Sequence, residues 1–236
     1  MVSLAAMFLY LNAKNKVRTD MKLAFNFLRQ LSENNSRPWF EEHKDLYLQA
    51  KAEAEVLVGK CISSVGQFEP LGDIDAKKCM FRIFRDVRFS KNKDPYKKNF
   101  SALISSMGRK PMSGFSWYLH LEPDASFMAS GNYEPDAKML AAIRQEIDYN
   151  PEEFRAIIHQ PEFQSRFGAM QGHQLKTAPK GYPKDHPEIE LLRYTQFYFS
   201  VQYSDKEILS ADFPQKLAED CKLIRPFLEF LKRAGD

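Results

Sequence analysis

Cysteine and glycine are scarce in this 236-residue chain and no long apolar run occurs, and each shortage excludes a class of protein. Cys61, Cys79 and Cys221 are odd in number, far apart and form no CxxC pair. They predict free thiols in a reducing compartment and give no metal signature. The five histidines, His43, His120, His159, His173 and His186, form no HxxxH or HExxH pattern. There is no GxSxG, GxGxxG or P-loop string either. The standard serine, cysteine and zinc hydrolases are set aside on these grounds. Ten glycines against nineteen phenylalanines and ten tyrosines argue against a repeat protein or a low-complexity binder. The longest apolar run, MVSLAAMFLYL, falls short of the roughly 20 residues that span a bilayer. It also lacks the basic start and small-residue cleavage site of a secretory signal. Residues 1–20 are read as an extension, either a weak helix or the product of an upstream start, with Met21 as the alternative start. No membrane partner is expected, and the cytoplasm follows by default.

What the chain does have is enough apolar residues, 44%, for a sizeable core. Its formal charge is only +3, yet positive charge is concentrated in residues 77–101, KKCMFRIFRDVRFSKNKDPYKKNFS. Nine basic residues there face only Asp86 and Asp94. Residues 80–89 alternate as a strand does, with Phe81, Ile83, Val87 and Phe89 on one side and Arg82, Phe84, Asp86 and Arg88 on the other. Arg85 falls on the apolar side, where a guanidinium needs an acidic partner, a carbonyl or a ligand. Asn92, Asp94 and Pro95 then mark a turn. A strand carrying arginines into a lysine-rich loop suits anion binding; a solvated edge strand would carry the same charges.

Elsewhere the periodicity predicts a helix over residues 22–31 and a second, long one capped by Ser36, with Pro38 in its first turn. A four-stranded antiparallel meander is expected over residues 80–131. Within it, Phe115, Trp117, Leu119 and Leu121 alternate with Ser116, Tyr118, His120 and Glu122. His120 and Glu122 share a face about 6–7 Å apart along the strand, a spacing that suits either an acid–base pair or two exposed polar residues. Helices open at Pro135, Pro151 and Pro161. Asp185 with Glu188 and Ser204 with Glu207 read as capping boxes. Residues 195–203 form the clearest strand, and a final helix over 213–233 is bent at Pro226. With no linker in view, residues 21–236 form a single α+β domain, an antiparallel sheet packed against several helices.

Four stretches resemble a known family: NNSRPWFEEHKDLY (34–47), FRIFRDVRFSKNKDPYKKNFSA (81–102), YLHLEP (118–123) and PKGYPKDHPEIELLR (179–193). They look like the bacterial and fungal domain of unknown function numbered 2461, over about residues 22–231. The chain departs from that pattern in its first twenty residues and around Arg37. The resemblance implies no reaction, cofactor or catalytic residue, and the residues themselves identify no cofactor and no metal.

Three functions compete. The first is a protein that binds, and acts on, a small anionic molecule bearing phosphate or carboxylate. Its ligand-binding residues would be Arg37, Arg82, Arg85, Asp86, Arg88, Lys93, Tyr96, Lys180 and Lys184, with His120 or His186 as the acid–base group because imidazole titrates near neutrality. The second is a structural or interaction protein whose arginines form internal salt bridges. The third, ranked below these, is a nucleic-acid-associated module built on the lysine-rich loop.

Overall fold

A computed structural model describes residues 21–109 and 115–235. The reading of residues 1–20 lies outside the described residues. Among those described, eleven helices surround one four-stranded sheet. Helix α1 (Lys22–Glu33) buries Ala24, Phe25, Phe27, Leu28 and Leu31, the stripe its sequence predicts. The expected long second helix is two: α2 (Arg37–Glu42) and α3 (Lys44–Val65) are separated at His43. Ser36 makes no side-chain cap. His43 Nδ1 instead bonds the Trp39 carbonyl, and the His43 ring stacks on Trp39 at 4.1 Å. A short helix α4 (Ala76–Cys79) follows, capped by Asp75.

The sheet is antiparallel, ordered β1 (Phe100–Ile104), β2 (Trp117–Leu121), β3 (Ser126–Asn132) and β4 (Phe197–Tyr203). Long insertion separates β3 from β4 and holds α5 (Ala137–Tyr149), α6 (Pro151–Ile158), α7 (Pro161–Phe167) and α8 (Ile189–Leu192). Prolines occupy the first turn of α6 and α7, as expected. After β4 come α9 (Asp205–Ile208), α10 (Phe213–Leu223) and α11 (Arg225–Gly235). The Ser204–Glu207 capping box forms. The Asp185–Glu188 box does not: Glu188 is buried and paired with Arg155.

Residues 80–89 are not a strand. Their alternation is real, with Ile83 buried between exposed Arg82 and Phe84, but a strand also needs a neighbour to pair with. Only isolated bridges occur, Met80 with Ala102 and Phe84 with Tyr96. The chain folds back on itself instead, its neck closed where Arg85 N–H donates to the Pro95 carbonyl and Lys97 N–H to that of Ile83. The expected meander therefore has three strands, and β4 joins the same sheet as its fourth, fully paired with β3.

Strand alternation divides the sheet into unlike faces. Trp117, Leu119, Leu121, Met128, Phe197, Phe199, Val201 and Tyr203 are buried on the inner face, towards the core that α1, α3, α10 and α11 complete. Tyr118, His120, Glu122, Phe127, Ala129, Tyr198 and Ser200 point the other way and stay partly exposed. That outer face holds the polar chemistry. No helix among the described residues is long and apolar enough to cross a membrane.

Candidate functional site

The basic loop is tied together from within. Arg85 Nη1 donates to the Asp94 carbonyl at 3.1 Å and Nη2 to Ser90 Oγ at 3.3 Å. Of the three partners its position demanded, Arg85 found a carbonyl. Arg88 makes a two-point pair with Asp86, its Nη2 at 2.7 Å from Oδ2, and these hydrogen bonds hold the Asp86 carboxyl below its usual range. Lys93 Nζ donates to the Val87 carbonyl at 3.0 Å. The loop's end is anchored on the first sequence motif. Asn35 donates to the Tyr96 carbonyl and accepts from its N–H, and Tyr96 stacks on Phe40 with ring centres 3.9 Å apart. Thus Arg85, Asp86, Arg88, Lys93 and Tyr96 hold the loop in shape.

Arg82, Lys91 and Lys97 have no such role, and Lys91 lies exposed in the loop. Arg82 is exposed and makes no hydrogen bond or ion pair among the described residues. Lys97 is half-buried, its Nζ lying over the Phe81 ring at 5.3 Å. It too lacks a carboxylate or hydrogen-bond acceptor among the described residues. Burial, then the like charge of Arg82, holds its ammonium below the usual lysine value. The Phe81 ring is the one group that answers its charge among the described residues.

Phe81 connects Lys97 to β2, because its ring also meets Tyr118 at 6.1 Å. Along the outer face of β2, positions i, i+2 and i+4 carry Tyr118, His120 and Glu122. His120 Nε2 lies 2.8 Å from Glu122 Oε2, and its Nδ1 lies 3.1 Å from the Tyr118 hydroxyl. An ionised carboxylate only accepts, so Nε2 carries the proton and Nδ1 accepts from the phenol. Burial pushes the Tyr118 phenol up; a Ser101 hydrogen bond opposes this and the Glu122 charge adds to it. The phenol therefore stays protonated and acts as the donor. Carboxylate, imidazole and hydroxyl stand in the order that lets a ring nitrogen take a proton while the acid steadies the resulting charge. Phe127 stacks on the imidazole at 4.6 Å and 15° and fixes its plane. Glu122 also lines a cleft of about 300 Å³ with Arg29, Lys98 and Asp124.

His186 is occupied differently. Its Nε2 meets Asp148 Oδ1 at 2.9 Å, and its Nδ1 accepts the Glu188 backbone N–H at 3.0 Å. With both nitrogens engaged, it braces the loop over α5. Lys180 and Lys184 are exposed on that loop, and no hydrogen bond or ion pair among the described residues joins it to residues 81–98. Arg37 is exposed at the start of the six-residue α2. The larger cleft, about 490 Å³ beside Arg166 and Lys216, offers no free cation, since Arg166 pairs with Asp220 and Lys216 with Glu207. No group of three or more potential ligand residues that could hold a metal occurs among the described residues.

The sequence points to His120 and Glu122, and to Lys97 only as one of the loop lysines of a nucleic-acid track; it does not single out Tyr118 or Phe81 as site residues. Tyr118 was legible as the next residue on the same strand face. Lys97 was hidden among nine similar charges, and only the loop's internal bonds distinguish it.

The family model described as "Conserved hypothetical protein (DUF2461)" matches residues 23–230. No curated protein and no solved structure was found to match the chain. All four sequence motifs lie within the matched span: the chain belongs to this family of conserved hypothetical proteins.

Proposed function

We propose that the protein binds a small anionic molecule, bearing phosphate or carboxylate, on the outer sheet face beside β1. Lys97 and Arg82 hold the anion, and His120, backed by Glu122, exchanges a proton through the Tyr118 hydroxyl. The observation that carries this reading is the half-buried Lys97 ammonium without an acceptor. The arginines of the loop contribute by fixing the approach of Lys97 and do not touch the ligand. Three free, buried cysteines accord with a cytoplasmic protein. Thermal-shift titration with inorganic phosphate, pyrophosphate and small dicarboxylates tests the reading. Stabilisation by at least one of them should vanish in Lys97→Met and persist in Arg88→Ala, because a ligand stabilises only the state it binds. Equal responses in wild type and Lys97→Met would contradict it.

One observation favours a second reading, an interaction protein. Phe89 is 95% exposed at the tip of the internally tied loop, and a large ring presented on a stiff support is what a partner's pocket would take. In that case Phe89→Ser would abolish association with the partner and leave the anion response intact.

A further inference from the structure

We infer that the ligand is a nucleotide, its base lying on the outer-face rings and its phosphate at Lys97 and Arg82. This rests on the anion-binding reading above and specifies the rest of the molecule. Four rings make one continuous patch: Phe81 meets Tyr118 at 6.1 Å, Tyr118 meets Phe127 at 5.8 Å, and Phe127 stacks on His120 at 4.6 Å. All four are partly buried, the His120 side chain being 14% exposed, and each leaves part of its ring at the surface. A binder of bare phosphate or a small dicarboxylate has no use for such a surface, whereas a flat base gains from stacking on it whichever base it is. The cation end and the ring patch are contiguous, because Phe81 carries the Lys97 ammonium at 5.3 Å and adjoins Tyr118.

A second observation concerns Asn99. It alternates with buried Phe100, so it falls on the same side of the chain as Lys97 and Ser101, and Ser101 pairs across from His120. Its Oδ1 is closed to solvent and has no hydrogen-bond donor among the described residues, so a ligand meets it by turning the amide outward. An acceptor without a donor, two residues from a cation without an anion, suits a molecule that brings both an anionic group and an N–H or O–H. A phosphorylated nucleoside has each, through its phosphate and its amino or sugar hydroxyl groups.

The same surface is poorly suited to a polymer. Of the seven cations in residues 82–98, Arg85, Arg88, Lys93 and Lys98 are engaged within the loop. Arg82, Lys91 and Lys97 remain, too few to track a backbone of many phosphates.

Calorimetric titration of the full chain with adenosine 5′-monophosphate, ribose 5-phosphate, adenosine, inorganic phosphate and a single-stranded oligonucleotide of about eight residues tests the inference. The monophosphate should bind about tenfold or more tighter than ribose 5-phosphate, the range that one stacked base contributes, and also tighter than adenosine, which lacks the phosphate for Lys97 and Arg82. Phe127→Leu should remove most of that advantage and leave ribose 5-phosphate binding unchanged, while Lys97→Met should weaken both phosphates. If ribose 5-phosphate binds as tightly as the monophosphate, the rings are unused; the nucleotide falls and the anion site stands. If no phosphate compound binds, both readings fall. An oligonucleotide that binds more than about tenfold tighter than the monophosphate at about 150 mM salt would mean a polymer track and would also overturn the inference. Should Phe127→Leu fail to fold, the comparison of compounds on the wild type decides alone.

Discussion

Arg85→Ala tests the role of the basic loop, and its magnitude follows from what the guanidinium touches. Had Arg85 been paired with a buried carboxylate, its loss would strand that charge and cost about 3–5 kcal/mol. Its acceptors are instead the neutral Asp94 carbonyl at 3.1 Å and Ser90 Oγ at 3.3 Å, both half-buried. A hydrogen bond involving a charged group is worth about 1.5–3 kcal/mol at best. These two are long, partly wet and have neutral acceptors, so about 1–2 kcal/mol in total is expected. Part of that loss should be local. The neck bonds, Arg85 N–H to the Pro95 carbonyl and Lys97 N–H to that of Ile83, are backbone bonds that survive truncation. The tip between them should open more readily, which amide exchange over residues 86–94 would register. Lys93→Ala is the control: one exposed bond to the Val87 carbonyl is lost, and stability should change by about 0.5 kcal/mol or less. Urea denaturation of both variants supplies the numbers. A loss above about 3 kcal/mol in Arg85→Ala would mean that Arg85 neutralises a buried charge and does more than tie the loop. Loss of the ligand response while the neck stays closed would refute that role, because the ligand would then contact Arg85 itself.

Other outcomes follow from groups away from the loop. Asp220 is buried, holds Arg166 by two bonds of 2.5 and 2.6 Å and accepts from the Tyr203 hydroxyl at 2.7 Å. Asp220→Ala should cost about 3–5 kcal/mol in chemical denaturation; a loss below about 1 kcal/mol would mean the network is no brace. Glu207 is held down to about 2 by its Lys216 partner and by the Ser204 backbone and hydroxyl. With its folded value below the unfolded one, its contribution is complete above the ordinary 4.5 and is lost as pH falls towards about 2. Glu207→Gln should therefore flatten the acid limb of a stability–pH curve across that window, and an unchanged limb would contradict the pairing. Phe40 is fully buried against Tyr96 and Phe27, so Phe40→Ala should cost about 3–5 kcal/mol and loosen the loop's anchor, both visible in urea titration with amide exchange.

Much of the fold was legible because its signals are local. Proline in the first turn of α6 and α7, Ser204 with Glu207, and the aromatic alternation of residues 197–203 each act within a few residues. Residues 80–89 misled for the complementary reason. Their alternation reports an extended chain with one side inward, and an extended chain becomes a strand only when another strand lies beside it. That condition depends on where β1 runs and where Pro95 turns the chain back. The long helix split at His43 for a related cause, since nothing in its apolar stripe records that His43 bonds back to Trp39. At the site, His120 and Glu122 were visible as neighbours on one strand face. Which of nine cations would be consumed internally was not, because Asp86, Ser90 and the Asp94 and Val87 carbonyls choose among them only after the loop has closed.

The proposed anion site rests on a Lys97 ammonium that is half-buried over the Phe81 ring and lacks an acidic partner among the described residues. Direct NMR titration of its side-chain nitrogen in protein labelled at lysine reads this without any assay of activity. In the ligand-free protein Lys97 should titrate below the ordinary 10.5, because burial and the charge of Arg82 both disfavour the ammonium. Saturating phosphate, or whichever anion stabilises the protein most, should raise that value, as an opposite charge placed beside an ammonium must. A lysine that titrates at or above 10.5 without ligand, or one whose titration no anion moves, would contradict an anion site at Lys97.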